Sequence, residues 1–344
     1  MEDRLLLREI GEGFRIVSPE LGESVHSYMH RLAREYGVVS VRTIHKDVSV
    51  GGPRLFSELC IPRLAELGGV KMDAIASLCG FDPAYAAGQS IWRFGLEGTS
   101  HFPGVNCRAL PVCPECLRQR GIVPAFVHLA AVVACPLHGC MLVDICPSCL
   151  SQLRTDRPRL SHCRCRAALD DIDPTPATDA ELALAASIYS RMTGHTTIEA
   201  RLAFEGRQIN LAALSLDDLV YLHWSLGHVL PNPQPVGLGS RRHLTPKESI
   251  AAARRCIRLV ESPEEIVSHL RAWLRMFSDR CGGEVSLPLG LFRGVLKRLV
   301  SMRGVPTISQ LISYELESMS RRHRFRPSVG PRPPAQLNLF EDYL

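Results

Sequence analysis

Four short pairs of metal-ligand side chains, crowded between Cys113 and Cys165, constrain this chain more than any other feature. They are Cys113-Pro-Glu-Cys116, Cys135-Pro-Leu-His138, Cys146-Pro-Ser-Cys149 and Cys163-Arg-Cys165. Two soft ligands two residues apart can turn around one ion, and a second pair from further along completes a tetrahedron. In chain order the pairs give Cys113, Cys116, Cys135 and His138 for a first site, then Cys146, Cys149, Cys163 and Cys165 for a second. Crossed pairing is the other arrangement the spacing permits. Each set is closed, with no position left for water, so the expected ions are two structural zincs that serve folding rather than hydrolysis.

Three thiolates on Zn²⁺ leave a charge near −1 and four leave about −2, which neighbouring cations offset. Arg118, Arg120, Arg154, Arg164 and Arg166 are placed to supply them. The chain has 13 cysteines, and its N-terminal residues carry Glu2, Asp3, Arg4, Arg8, Glu9 and Glu12 around a short Leu5-Leu6-Leu7 run. No uninterrupted apolar leader is present, so the expected address is cytoplasmic, where thiols stay reduced and ligation outranks disulfides. The longest apolar stretch, Ile122 to Leu137, is broken by Pro124, His128 and Pro136 and reads as core rather than as a membrane span. Cys107, Cys140 and His162 lie near enough to act as substitute ligands, although Cys140 sits beyond the knuckle and reads as a small apolar residue. Cys60, Cys79, Cys256 and Cys281 are isolated and read as core.

Gly22-Glu23-Ser24-Val25-His26-Ser27-Tyr28-Met29-His30-Arg31-Leu32-Ala33, together with Cys113-Pro-Glu-Cys116, Cys135-Pro-Leu-His138-Gly139-Cys140-Met141-Leu142 and Cys146-Pro-Ser-Cys149, resembles the TniQ/TnsD family of transposition target-selection proteins. The resemblance covers residues ~15 to 170 and extends to the remainder only in helical character. It departs before Cys135, where Phe126-Val127-His128-Leu129 lacks the expected tryptophan. It implies a non-enzymatic accessory protein that selects or bridges to a DNA target. The implied partners are an AAA+ ATPase regulator, a DDE-type transposase, target DNA and, in some systems, a CRISPR effector complex. A homodimer is compatible with bridging, and no residue specifies one.

The expected fold is mainly α. A central tandem zinc-binding module of ribbon or knuckle type lies between an N-terminal helix-turn-helix-like region and a C-terminal helical one. The expected domains are residues 1–105, 106–170 and a basic 171–326, with a disordered tail at 327–344. Ser24, Val25, Tyr28, Met29, Leu32 and Ala33 share one helical face, while His30, Arg31, Arg34 and Glu35 lie elsewhere, and Gly37 ends the pattern. Met72 to Leu78 reads as a helix, Gly80 as a turn, and Asp82-Pro83 as the cap and first turn of a second helix. The resembled family carries a helix-turn-helix there. Asp73 through Ala87 is almost devoid of basic residues, so the motif is expected to dock protein rather than meet phosphate.

Residues ~171 to 180 and Pro231 to Gly239 read as linkers because Pro and Gly at that density break regular structure. From Arg241 to Arg326 there are 17 Lys+Arg against 8 Asp+Glu, so the positive charge of the chain gathers there. Arg254, Arg255, Arg258, Arg271, Arg275, Arg293, Lys297, Arg298 and Arg303 are candidate DNA contacts on helices whose apolar faces hold Ile257, Leu270 and Trp273. In the Pro-rich tail, Gln336-Leu337-Asn338-Leu339-Phe340 resembles the Gln-Leu-x-Leu-Phe motif by which bacterial replication proteins engage the sliding clamp. Gln336, Leu337, Leu339 and Phe340 are its expected contacts.

No catalytic constellation is evident: the chain lacks a phosphate-binding loop, a nucleophile elbow and a His-Glu-x-x-His helix. His223, beside Trp224, reads as a satisfied core residue, and Asp217 and Asp218 as a helix start. Two other classes remain open at this point. A zinc-containing transcription regulator would bind a chosen DNA sequence unaided, and a zinc enzyme or thiol oxidoreductase would keep reactive thiols at Cys113/Cys116 or Cys146/Cys149.

Overall fold

The computed structural model describes residues 16–48 except 39, 61–78, 109–193, 211, 214, 216–231, 244–280 except 263, 299 and 310–314. Among them the regular structure is mainly helical, as expected, with one short hairpin, while the stretch that carries the metal ligands is largely turns and isolated bridges.

Ser24 caps α1 (Val25–Glu35) by accepting the Ser27 N–H at 3.1 Å, and Gly37 turns the chain away in the left-handed region at φ 64°. The helix packs with α2 (Val41–Val48), α3 (Ile61–Gly68) and α4 (Met72–Leu78) around Tyr28, Met29, Leu32, Ile44, Leu64 and Ile75. Tyr28 donates its hydroxyl to the Val17 carbonyl at 2.7 Å. A Cβ on Gly68 would stand 1.9 Å from that hydroxyl oxygen, so the close approach requires glycine. The expected second helix of a helix-turn-helix, from Asp82, lies outside the described residues.

A second, larger core begins at Leu110 and runs through the metal-ligand segment into the C-terminal helices. Here α5 (Pro114–Arg120) starts with Pro114 in its first turn and stops at Gly121, φ 65°. A short 3₁₀ turn, Ala125–His128, leads to the antiparallel pair β1 (Ala134–Cys135) and β2 (Cys140–Met141), which sets Cys135 opposite Cys140. The apolar stretch from Ile122 is buried here, as expected.

The Pro-rich stretch after Asp171 does not run free. Thr175 accepts the Met141 N–H at 2.8 Å and Gly139 accepts that of Ala177 at 3.0 Å, so this segment lies along β2. Proline lacks a donor but still presents a carbonyl, and the residues between the prolines carry the pairing. Thr178 and Glu181 then cap α6 (Asp179–Thr193).

Beyond it, α7 (Leu216–Leu222) widens into a π-helical stretch, His223–Val229. Asp217 and Asp218 stand in the first turn of α7, where the sequence puts them. Against the π-helical stretch lies α8 (Pro246–Glu261), opened by a full capping box between Thr245 and Glu248 and followed by α9 (Glu264–Arg280). The crossing is close: a Cβ on Gly227 would meet the Ala252 carbonyl oxygen at 2.3 Å. Most of the Pro231 to Gly239 stretch lies outside the described residues. Among those that are described, no helix is long and apolar enough to cross a membrane.

Candidate metal centres

The four ligand pairs converge in two groups of four, Cys113, Cys116, Cys135 and His138 in one and Cys146, Cys149, Cys163 and Cys165 in the other. Within each group all donor atoms lie within 4.8 Å of one another. This is the chain-order arrangement; the crossed one is absent. The chemistry of the donors fits a soft or borderline divalent ion, and either group could hold one.

In the first group the Cys113 Sγ accepts the Cys116 N–H at 3.4 Å, so one residue caps α5 and offers a ligand at once. His138 Nδ1 lies 3.4, 3.4 and 3.5 Å from the sulfurs of Cys113, Cys116 and Cys135. Its Nε2 meets Gln119 Oε1 at 3.1 Å. That carboxamide oxygen can only accept, which leaves the proton on Nε2 and aims the Nδ1 lone pair at the thiols. Side-chain hydrogen bonds from Cys116, Cys135 and Cys140 hold the Cys113 thiol far below its ordinary pKa. Its contact with Cys113 raises the Cys140 thiol, and burial adds to the rise. On binding a cation the Cys116 and Cys135 thiols would release their protons to solvent, whereas the His138 Nδ1 lone pair is already free.

The second group is built from turns. The Cys146 carbonyl accepts the Leu150 N–H at 2.9 Å, the Cys163 carbonyl accepts the Arg166 N–H at 2.9 Å, and both Leu150 and Arg166 adopt positive φ. Cys146 and Cys165 sulfurs stand 3.6 Å apart, those of Cys149 and Cys163 3.7 Å. Cys149 and Cys165 are exposed, in contrast to the buried thiols of the first group. The Ser151 backbone N–H, followed by its hydroxyl, draws the Cys149 thiol down to about 6.

The five arginines expected near these thiols divide their roles. Arg118 donates to the Asp170 carbonyl at 2.8 Å and Arg120 to that of Leu21 at 2.9 Å, both structural ties. Arg154 and Arg164 converge on Asp156, which also takes Arg42 from α2 at 2.8 Å. Arg166 is exposed. Of the three substitute ligands considered, Cys107 lies outside the described residues, and His162 contacts the Ser161 hydroxyl instead. Cys140 is buried, as expected of an apolar residue, but its sulfur stands 3.5 Å from Cys113 Sγ. Cys256 is buried in α8, while Cys60, Cys79 and Cys281 lie outside the described residues.

The candidate DNA contacts have more specific surroundings than charge counting reveals. Arg254 is bound to the buried Glu181 at 2.8 Å, Arg258 pairs with Glu265 at 3.3 Å, and Arg255 donates to the Ala251 carbonyl. Arg271 is exposed on α9, which also carries Arg275. Arg293, Lys297, Arg298 and Arg303 lie outside the described residues, as do Gln336, Leu337, Leu339 and Phe340. His223 is buried and its Nε2 meets the Ser249 carbonyl at 3.1 Å, as a core residue would, but its Nδ1 is buried without a hydrogen-bond partner, so the residue is only half satisfied.

Sequence periodicity assigned His30 away from the apolar face of α1, yet it is buried, with Nε2 3.2 Å from the Thr155 carbonyl. It belongs to a junction that sequence reasoning missed. His26 contacts His128 across 102 positions, and the His45 ring lies 5.6 Å from that of His26. Around them Ser24 donates its N–H to the Val123 carbonyl at 2.8 Å, Ala125 to that of Gly22 at 2.9 Å, and Val123 to the Ser27 hydroxyl at 3.1 Å. The only hint in sequence was His128, standing in the stretch where the resembled family differs.

No curated protein matches this chain. Residues 14–142 match the TniQ family, a span that includes α1, the histidine junction and the first metal centre.

Proposed function

Because this chain is a TniQ family protein over residues 14–142, we propose that it is a non-catalytic accessory protein of transposition that selects or bridges to a DNA target. In this reading it recruits an AAA+ regulator and a transposase. The observation that carries the proposal is the coincidence of the family match with a built structural unit, in which the α1 helix is fastened to the first metal centre. Zinc suits both centres: four N/S donors each, closed geometry and a Gln119 partner for His138. An ion there would hold the knuckles together, a folding role. The arginine surplus between Arg241 and Arg326 supplies phosphate contacts in this reading, and the Gln336 to Phe340 motif a route to the sliding clamp.

Mobilisation of a marked transposon in cells, with and without this chain, tests the proposal. Loss of insertion, or a change in insertion sites, is expected when the chain is omitted, and an unchanged frequency and site profile overturns it. The transcription-regulator reading makes a different demand: the isolated protein would select a DNA sequence tightly with no ATPase present.

A further inference from the structure

The first metal centre contains five potential donors. Cys113, Cys116, Cys135 and His138 form the group of four, and the Cys140 sulfur, 3 % exposed as a residue, stands 3.5 Å from Cys113 Sγ. Two sulfurs on one tetrahedral ion with bonds of about 2.3 Å lie about 3.7 Å apart. Cys116 and Cys135 already have that separation at 3.7 Å. Cys140 therefore holds a ligand-like distance from one member of the group.

Cys140 is directly opposite Cys135 in the β1/β2 pair, and cross-strand partners carry their Cβ atoms about 4.5–5.5 Å apart. A rotation about χ1 is the movement available to bring the Cys140 sulfur toward Cys135 and Cys116. His138, by contrast, is only half-buried, follows Cys135 in the connecting turn, and has its far nitrogen on the exposed Gln119 contact. Removing its imidazole opens the outer side of the centre and leaves the inner sulfurs in place. The second group has no comparable neighbour among the described cysteines, since Cys256 is buried in α8 and Cys140 faces Cys113.

We propose that Cys140 is a reserve ligand of the first metal centre, taking the fourth position on the same ion when His138 is absent from it. The inference rests on a metal ion occupying that centre. As the metal–sulfur bond forms, the Cys140 thiol releases its proton to solvent, and the donor set changes from three sulfurs and a nitrogen to four sulfurs. In the unaltered protein Cys140 remains a thiol beside Cys113.

The test uses the full-length chain loaded with Co²⁺, whose visible bands report sulfur and nitrogen donors, alongside elemental analysis of the zinc form. The unaltered protein is expected to hold two equivalents, and fewer would count against the metal reading itself rather than against the reserve ligand. His138→Ala is expected to keep two equivalents, with cobalt bands moved to those of two all-sulfur sites. Cys140→Ala is expected to keep two with the bands unchanged, and His138→Ala/Cys140→Ala to keep one. A single equivalent in His138→Ala, or two with the same bands as in the double variant, overturns the proposal. Should His138→Ala be insoluble, His138→Gln repeats the measurement; insolubility of both beside a soluble Cys140→Ala also overturns it, because an irreplaceable ligand behaves that way.

Discussion

His26 Nδ1 and His128 Nε2 stand 3.2 Å apart in a fully buried junction between α1 and the segment that leads into the first metal centre. His30 and His45 lie in the same junction, with Arg157 and Asp156 from the segment between Cys149 and Cys163 of the second centre. Burial, first of all, lowers all three α1 and α2 histidines: His26 well below its ordinary value, His30 to about 3 and His45 to about 4. The proximity of Arg157 and of the other imidazoles adds to the effect on His26 and His30, while Asp156 opposes it at His45.

These histidines fold neutral, and in the unfolded chain they gain protons near pH 6.5. The unfolded state therefore binds more protons below that value. Stability is complete above about pH 6.5 and declines toward pH 4, at up to about 1.4 kcal/mol per pH unit for each histidine involved. Urea unfolding between pH 7.5 and 5.5, with metal content checked at each point, is expected to show the decline, and His45→Asn to make it shallower. A profile flat over that range would contradict the buried neutral cluster.

Cys149→Ser removes one donor from the second centre. The variant is expected to lose one metal equivalent and to unfold or aggregate through the central region, because metal binding there is folding free energy. A stable variant that still holds two equivalents would speak against Cys149 as a ligand.

Arg254→Ala is expected to cost about 1 kcal/mol in thermal or urea unfolding, because it removes the guanidinium that meets the buried Glu181 carboxylate, and that guanidinium, 58% exposed, is already screened by solvent. The capping contacts from Thr178 limit the loss. Any DNA affinity should change little. A fall in affinity with unchanged stability would instead make Arg254 a phosphate contact.

Gly227→Ala places a methyl group 2.3 Å from the Ala252 carbonyl oxygen, which is backbone and cannot turn aside. The two helices must separate, at about 1–3 kcal/mol by analogy with other overpacked sites. A lowered melting temperature with unchanged metal content is expected, and an unshifted one would mean that the crossing is looser than the backbone geometry implies.

The metal centres were legible because ligation imposes covalent spacing: a Cys-x-x-Cys turn is local, and Cys113 through Cys165 declare it without knowledge of the fold. Helices α1 and α4 were legible from apolar periodicity. Tertiary structure alone decided what those elements meet. Periodicity averages over a face, so it could not show that His30 and His26 turn into a junction with Thr155 and His128, more than a hundred positions away. Charge counting could not show that Arg254 pairs with a buried carboxylate, Glu181, 73 positions away. Nor could the prolines after Asp171 reveal that carbonyls and intervening N–H groups pair along β2, since that depends on a partner strand brought up by the rest of the chain. Cys140 read as a small apolar residue, and its burial agrees; only the register that sets it opposite Cys135 brings its sulfur beside Cys113.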